Sequence, residues 1–170
     1  RSSDLSYTIS QGVKQMGNID LILCGKQTTD GDTAQVGPEM AEYLGIPHIA
    51  NVLKIGKLNT DSLIVEMDMP NTIEVAEVKF PCLLTVEKDI FQPRLPSYRK
   101  KLATKDREVK MLSLKDFEDQ NEKMYGLNGS PTQVERIFPP AINTDKEMWN
   151  GSGEELADKL TAKLRELKFI

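Results

Sequence analysis

The sequence predicts an α/β fold: an open, mainly parallel sheet with an added β-hairpin, followed by a C-terminal arm and helix. Three observations predict it. The first 55 residues alternate helix, strand, loop, helix and strand, and residues 63–78 hold two β-rich runs. The last twenty residues carry the apolar spacing of a helix after a long irregular stretch.

The first elements follow from apolar spacing and chain breakers. Apolar residues recur at helical steps over 5–16, and Gly17-Asn18 ends this helix. Residues 20–24 are a short apolar run between breakers, which is typical of a buried parallel strand. A second helix is predicted over 33–44, where Gly45 ends it, and a second strand over 49–55.

The middle of the chain changes character. Residues 63–67 and 72–78 are β-rich, the second run alternates apolar and polar residues, and Pro70-Asn71 lies between them. We therefore predict an antiparallel hairpin, followed by a strand over 82–86. A hairpin attached to a parallel sheet is common in mixed sheets.

The last third predicts an arm and a helix. Residues 121–140 contain several glycines and prolines with little periodicity, which is unusual inside a compact domain and typical of an arm that packs on another surface. The terminal helix has a capping-box spacing at Ser152 and Glu155. Its apolar stripe is formed by Leu156, Leu160, Leu164 and Leu167.

Composition narrows the classes of function. Hydrophobic residues at 39% and charged residues at 28% are typical of a soluble globular protein, and no apolar run approaches the roughly 20 residues of a membrane span. A net charge of −4 argues against nucleic acid as partner. Cys24 and Cys82 lack metal-ligand spacing and are predicted to be buried free thiols, and His48 is the single histidine. We assign no catalytic and no metal-ligating residue.

The informative loop follows the first strand, over residues 25–38. Open α/β sheets bind ligands at this place, between the carboxyl end of a strand and the next helix. We expect Gly31 to turn with positive φ, and Asp32 or Thr33 to cap the helix. The N–H groups of Thr33, Ala34 and Gln35 would then point outward at the positive end of the helix dipole and form an anion site.

The spacing alone leaves three interpretations open. The loop has neither the Gly-Lys-Ser/Thr ending of a P-loop nor a G-x-G-x-x-G fingerprint. Asp30 and Asp32 would repel a phosphate unless they point away or cap the helix. Paired carboxylates also suggest a Mg²⁺ or acid/base site. Nucleotide binding, a plain capped loop and metal or acid/base chemistry all remain.

A family resemblance favours the first interpretation. Gly25-Lys26-Gln27, then the run from Asp30 to Pro38, resembles the nucleotide loop of the electron-transfer flavoprotein beta subunit. Ser6-Tyr7-Thr8 and Pro93-Arg94-Leu95-Pro96 match the same family in the same order. The resemblance implies a heterodimer with an alpha subunit and a Rossmann-type domain like that of the adenine nucleotide alpha hydrolases. In this family the loop holds AMP, or in electron-bifurcating members the ADP part of a second FAD.

The resemblance also implies the cofactor and its contacts. The amino-acid sequence of the loop is similar to that of the bifurcating members, so we expect FAD rather than AMP. NADH would be the electron donor, and ferredoxin or flavodoxin would be one acceptor. The backbone N–H groups of Ala34, Gln35 and Val36 would be the phosphate contacts. The matching loop residues are Gly25, Gln27, Asp30, Gly31, Asp32, Thr33, Ala34, Gln35, Val36 and Gly37.

Partner contacts are carried over in the same way. Residues 86–101 correspond to the family's recognition loop for an acyl-CoA dehydrogenase or related flavin dehydrogenase, with candidate contacts at Ile90, Phe91, Pro93 and Arg94. Phe91-Gln92 stands where the family commonly has Asn-Glu, so the dehydrogenase is not identified. We divide the chain into a nucleotide-binding part (1–88), a partner-recognition and basic segment (89–110), and an arm and helix that pack on the alpha subunit (111–170).

Two other classes of function remain as competing interpretations. One is an ATP-using hydrolase or ligase of the same fold, and the other is a structural interaction module that holds no chromophore. The family's domain has further strands and helices before the position of residue 1, so we expect these 170 residues alone to bind nucleotide poorly. The expected location is the cytoplasm, with the mitochondrial matrix as alternative.

Overall fold

A computed structural model describes residues 2–29, 31–142 and 146–170. The chain forms two compact units, Arg1–Gln133 and Val134–Ile170. The strands are β1 (Leu21–Gly25), β2 (His48–Leu58), β3 (Ser62–Met69), β4 (Thr72–Lys79) and β5 (Cys82–Val86). The α-helices are α1 (Ser2–Lys14), α2 (Val36–Leu44), α3 (Tyr98–Ala103), α4 (Gly126–Gly129) and α5 (Gly153–Glu166), and short 3₁₀ helices lie at Leu114–Asp116 and Glu122–Met124.

One five-stranded sheet organises the first unit, in the order β1-β5-β2-β3-β4. The β1–β5 and β5–β2 pairs are parallel, whereas the β2–β3 and β3–β4 pairs are antiparallel. The predicted α/β class with an open sheet is confirmed. The sheet is not mainly parallel, because the eleven-residue β2 extends beyond its parallel neighbour and pairs with β3 along its second half.

The two faces of the sheet are packed differently. On one face α1 packs on α2, and α2 packs on β5 and β2. Met40, Ala41 and Leu83 are the buried centre of this layer. On the other face a larger apolar cluster joins the parallel and antiparallel halves: Val52, Leu63, Val65, Val78, Cys82 and Leu84. Burial of this apolar surface from water is the main term that stabilises the unit.

Element boundaries agree with the sequence prediction to within three residues. β5 spans the predicted residues, and α1 starts three residues before its predicted first residue. α2 begins at Val36 rather than 33, which lengthens the loop after β1. A bulge interrupts the β2–β5 register between Ile49 and Val52, where Asn51 has a φ angle of 56°.

Residues 111–133 return to α1 after the exposed basic segment. The Tyr7 hydroxyl donates a hydrogen bond to the Asp119 carboxylate, 112 residues further along the chain. The ring of Tyr7 also lies 5.4 Å from that of Tyr125 and 5.2 Å from that of Tyr43. An aromatic and hydrogen-bonded contact therefore attaches this segment to the helix that precedes β1.

The second unit is built around α5. Its predicted capping box is confirmed: the Ser152 Oγ accepts from the Glu155 amide, and the Glu155 carboxylate accepts from the Ser152 amide at 2.9 Å. The leucine stripe is not buried within the unit, since Leu160 and Leu167 are 52% and 53% exposed. None of the described helices is both long and apolar enough to cross a membrane.

Candidate functional site

A cleft of about 500 Å³ lies at the carboxyl end of β1, between α1 and the start of α2. One wall is apolar and comes from α1, β1 and α2: Leu5, Ile9, Val13, Ile22, Leu23, Cys24 and Met40. The other wall is the polar loop: Gly25, Lys26, Gln27, Thr28, Thr33, Ala34, Gln35, Val36 and Gly37. An apolar wall facing a few polar groups is the usual composition of a small-molecule site.

The loop is shaped by left-handed backbone at two residues that are not glycine. Asp32 has a φ angle of 52° and Ala34 one of 54°, while Gly31 is not among the described residues with positive φ. The Asp32 amide donates to the Thr28 carbonyl at 3.2 Å, which closes a tight turn. Left-handed backbone at 32 and 34 excludes these residues from a helix, and α2 therefore starts later than predicted.

The expected side-chain cap of α2 is absent. Gln35, not Asp32 or Thr33, occupies the N-cap position, and it makes no side-chain capping hydrogen bond. The Asp32 carboxylate instead accepts a hydrogen bond from the side-chain amide of Gln27. The prediction of an Asp32 or Thr33 cap was wrong because α2 starts later, at Val36, and because the Asp32 carboxylate has this other partner.

Two backbone donors are left at the start of α2. The first helical hydrogen bond runs from the Glu39 amide to the Gln35 carbonyl at 3.0 Å, and Pro38 has no N–H. Within the described part of the chain, the amides of Val36 and Gly37 have no hydrogen-bond acceptor. These donors, with the helix dipole behind them, favour an anion. Val36 belongs to the predicted set of phosphate contacts (Thr33 to Val36), and the contacts at the other three amides stay predictions.

Lys26 is the charged side chain among the described residues that line the cleft, and sequence analysis did not select it. Its ammonium group lies 2.7 Å from the Glu87 carboxylate, and its amide donates to the Val86 carbonyl. The hydrogen bond to Glu87 is the main reason that the pKa of Lys26 is raised, so the ammonium stays charged at neutral pH. This ion pair links the ends of β1 and β5, and the Glu87 carboxylate balances the charge of the Lys26 ammonium group.

The two glycines at the ends of the loop have different roles. A Cβ atom on Gly37 would lie 2.4 Å from the Thr85 Cγ2, so glycine lets α2 approach β5 closely. A Cβ atom on Gly25 would meet nothing within 4 Å, and the space in front of it is open. Thr85 is buried and accepts a hydrogen bond from the Asn51 amide at 3.1 Å, which ties the bulge of β2 to the same place.

The structure brings most of the predicted loop residues together. Seven line the cleft: Gly25, Gln27, Thr33, Ala34, Gln35, Val36 and Gly37. Gly31 and Asp32 belong to the same loop but not to the lining, and Asp30 lies outside the described residues. Across residues 2–29, 31–142 and 146–170, no group of three or more His, Cys, Asp or Glu side chains is placed to hold a metal ion.

The predicted partner contacts lie away from the cleft lining. Ile90 packs against the chain's own core, whereas Phe91 is 66% exposed. Pro93 is exposed, and Arg94 lines a shallow surface basin with Lys100 and Lys101. Of the two apolar candidates, Phe91 therefore has the free surface that docking needs.

Comparison with known proteins identifies the family. A sequence profile described as the electron transfer flavoprotein domain matches residues 1–116. The chain belongs to the electron transfer flavoprotein family. It is 38% identical over 165 residues to the electron transfer flavoprotein subunit beta of Clostridium acetobutylicum, covering 97% of this chain and 62% of that protein.

Other beta subunits agree with this membership. The protein of the same name from Thermoanaerobacterium thermosaccharolyticum is 42% identical over 153 residues, covering 89% of this chain and 58% of the relative. The caffeyl-CoA reductase-Etf complex subunit CarD of Acetobacterium woodii is 37% identical over 166 residues, covering 97% and 63%. The chain thus spans about three-fifths of these relatives' length, and the resemblance to the electron transfer flavoprotein beta subunit is confirmed.

The cleft fits a nucleotide of the kind that a flavoprotein holds. Its volume lies within the range of about 300–1,000 Å³ that is usual for small-molecule sites. The amides of Val36 and Gly37 and the ion-paired Lys26 ammonium supply hydrogen-bond donors at one side, which suit a phosphate group. The apolar wall of α1 supplies a surface for a flat ring.

Proposed function

We propose that this chain forms the nucleotide-holding part of an electron transfer flavoprotein beta subunit, and that the cleft after β1 binds the ADP part of FAD. The observation that carries the proposal is the pair of amides at Val36 and Gly37 beside Lys26. In this proposal Gly25, Gln27 and residues 30–37 form the nucleotide-binding loop, and the domain is of the Rossmann type. AMP in place of FAD is the alternative.

FAD is favoured over AMP by the resemblance of the loop to that of the bifurcating members, and the names of several relatives support electron transfer. Besides CarD, the chain is 33% identical to Protein FixA of Azorhizobium caulinodans over 166 residues. It is 34% identical over 175 residues to the acryloyl-CoA reductase electron transfer subunit gamma of Anaerotignum propionicum. These names support electron transfer to or from a CoA-ester reductase. We propose electron bifurcation, with NADH as donor and ferredoxin or flavodoxin as one acceptor.

The proposed partners use the parts of the chain outside the cleft. The alpha subunit would pack on residues 111–170, and an acyl-CoA dehydrogenase or related flavin dehydrogenase would dock at Phe91, Pro93, Arg94 and the basic segment 89–110. The exposed Phe91 ring and the cations of the Arg94 basin support this docking. The free thiols Cys24 and Cys82, and the bacterial relatives, support a cytoplasmic location.

In this proposal the chain's own residues bind and orient the nucleotide. A bound flavin would supply the redox chemistry. The amides of Val36 and Gly37 would hold phosphate oxygens, Lys26 would offset their charge, and the α1 wall would exclude water from one side of the ligand.

Cys24 gives a direct test of occupancy. It is half-buried and lines the cleft, whereas Cys82 is fully buried and serves as internal control. We expect a nucleotide at ten times its Kd to slow alkylation of Cys24 by N-ethylmaleimide about tenfold, since only the unoccupied fraction reacts. Burial raises the pKa of the Cys24 thiol, so the reaction is run at pH 8.5.

The experiment uses the full-length protein, with peptide mass spectrometry to follow each cysteine. Protection by FAD and ADP at lower concentrations than AMP supports the FAD proposal. Protection by AMP alone supports the AMP alternative. An unchanged Cys24 rate with all three nucleotides at millimolar concentration would contradict a nucleotide in this cleft.

A further inference from the structure

The loop beside the cleft contains a carboxylate that would oppose the binding of a phosphate group. Asp32 lies in the same short loop as the donors that would bind a phosphate, and its carboxylate would repel such a group. The carboxylate is also close enough to contribute to the raised pKa of Lys26, after the larger effect of Glu87. A freely rotating Asp32 could therefore weaken both sources of positive potential.

The structure shows where this carboxylate is held. The side-chain amide of Gln27 donates to the Asp32 Oδ1 atom, and the Asp32 amide donates to the Thr28 carbonyl. Gln27 lines the cleft, whereas Asp32 does not. The backbone and the side chain of Asp32 are thus both hydrogen-bonded within the loop, and Asp32 is not part of the cleft lining.

We propose that Gln27 is a positioning residue that holds the Asp32 carboxylate away from the cleft and so keeps its phosphate side electropositive. This inference rests on the proposed function, and it changes the role of both residues, which the family resemblance had assigned to nucleotide contacts. A neutral amide suits the task because it holds a carboxylate by hydrogen bonding without adding a charge of its own.

The consequence is specific to charged ligands. In Gln27→Ala the carboxylate loses its Gln27 donor, and its charge becomes free to move towards the start of α2. We expect ADP to bind about tenfold more weakly, because one unit charge that moves to within a few ångströms of the phosphate in a partly exposed site has an effect of that order. Adenosine, which has no phosphate, should bind with unchanged affinity.

A double variant separates positioning from direct contact. We expect Gln27→Ala/Asp32→Asn to bind ADP nearly as well as the wild type, because the carboxylate charge has been removed. Asp32→Asn alone should not weaken ADP binding. If the loss of ADP affinity in Gln27→Ala persists in the double variant, or if adenosine and ADP lose affinity equally, Gln27 contacts the nucleotide itself. Either result would overturn the inference.

The affinities are measured by titration calorimetry of the full-length protein with ADP and adenosine at two salt concentrations. Gln15→Ala, at a partly exposed glutamine that does not line the cleft, is the matched control and should leave the affinities for ADP and adenosine unchanged. The Gln27→Ala effect should shrink at high salt, which a purely structural role would not produce. Wild-type protein that binds neither ligand would overturn the proposed function itself. Normal wild-type binding with an unaffected Gln27→Ala variant would overturn only the inference.

Discussion

At the scale of single residues, the cleft depends on small groups that let backbone segments approach each other. Gly37 is the clearest case, because the position of its missing Cβ atom is occupied by the Thr85 methyl group. Thr85 in turn accepts from the Asn51 amide. The start of α2, the end of β5 and the bulge of β2 therefore meet at one buried point. This contact orients the amides at the start of α2.

We predict that Gly37→Ala lowers the free energy of unfolding by about 1–3 kcal/mol, because the new methyl group overpacks the contact with Thr85. Thr85→Ser removes the clashing methyl and keeps the oxygen, so Gly37→Ala/Thr85→Ser should recover most of the loss. Urea unfolding followed by circular dichroism measures both.

Gly12→Ala is the matched control, since a Cβ atom on this α1 glycine meets nothing within 4 Å. It should raise the free energy of unfolding by up to about 1 kcal/mol through helix propensity. A Gly37→Ala protein as stable as Gly12→Ala, or no recovery in the double variant, would contradict the close-approach account.

At the scale of elements, the Ser6-Tyr7-Thr8 motif connects α1 to two other parts of the chain. The hydroxyls of Ser3 and Ser6 donate to the Glu39 carboxylate of α2, at 3.3 and 2.8 Å. Tyr7 points elsewhere and bonds Asp119. The remaining face of α1 lines the cleft. One helix thus joins α2, the segment 111–133 and the cleft.

The Tyr7 contact predicts a pH dependence. The hydrogen bond to Asp119, followed by burial and the Asp119 charge, raises the pKa of Tyr7 to about 12. Since the folded pKa exceeds the unfolded value near 10, the stabilisation is complete below pH 10 and is lost as the pH rises towards 12. The difference in free energy of unfolding between wild type and Tyr7→Phe should therefore shrink above pH 10.

Guanidinium unfolding at pH 8 and at pH 11.5 measures this difference. Tyr98→Phe, at a tyrosine that is 77% exposed, is the control and should leave the free energy of unfolding at pH 8 unchanged. If the difference between wild type and Tyr7→Phe is the same at both pH values, the Tyr7 hydroxyl does not hold Asp119 in the folded protein.

The elements that could be predicted are those with local signals. Apolar runs and breakers placed β1 and β5, and the Ser152 and Glu155 spacing placed the start of α5. The start of α2 was missed because it depends on left-handed backbone at Asp32 and Ala34, which side-chain type does not reveal. The role of Lys26 depends on Glu87, 61 residues away, and no periodicity connects them.

At the scale of the whole molecule, the candidate site is a property of the first unit. The end of β1, the end of β5 and the start of α2 meet at one edge of the sheet, although they are far apart in sequence. Outside the cleft, exposed apolar groups include Phe91 and two leucines of the terminal stripe, Leu160 and Leu167. A cleft in one place and apolar surface in others is the arrangement that a nucleotide-holding subunit with protein partners would need.

The central claim is that the amides of Val36 and Gly37 bind a phosphate of the ligand. Selective ¹⁵N labelling of valine and glycine in the full-length protein, followed by titration with ADP, tests it most directly. The account predicts that the two amide signals move and saturate with ADP, while adenosine moves them far less. Unchanged Val36 and Gly37 signals in protein that has bound ADP would contradict it.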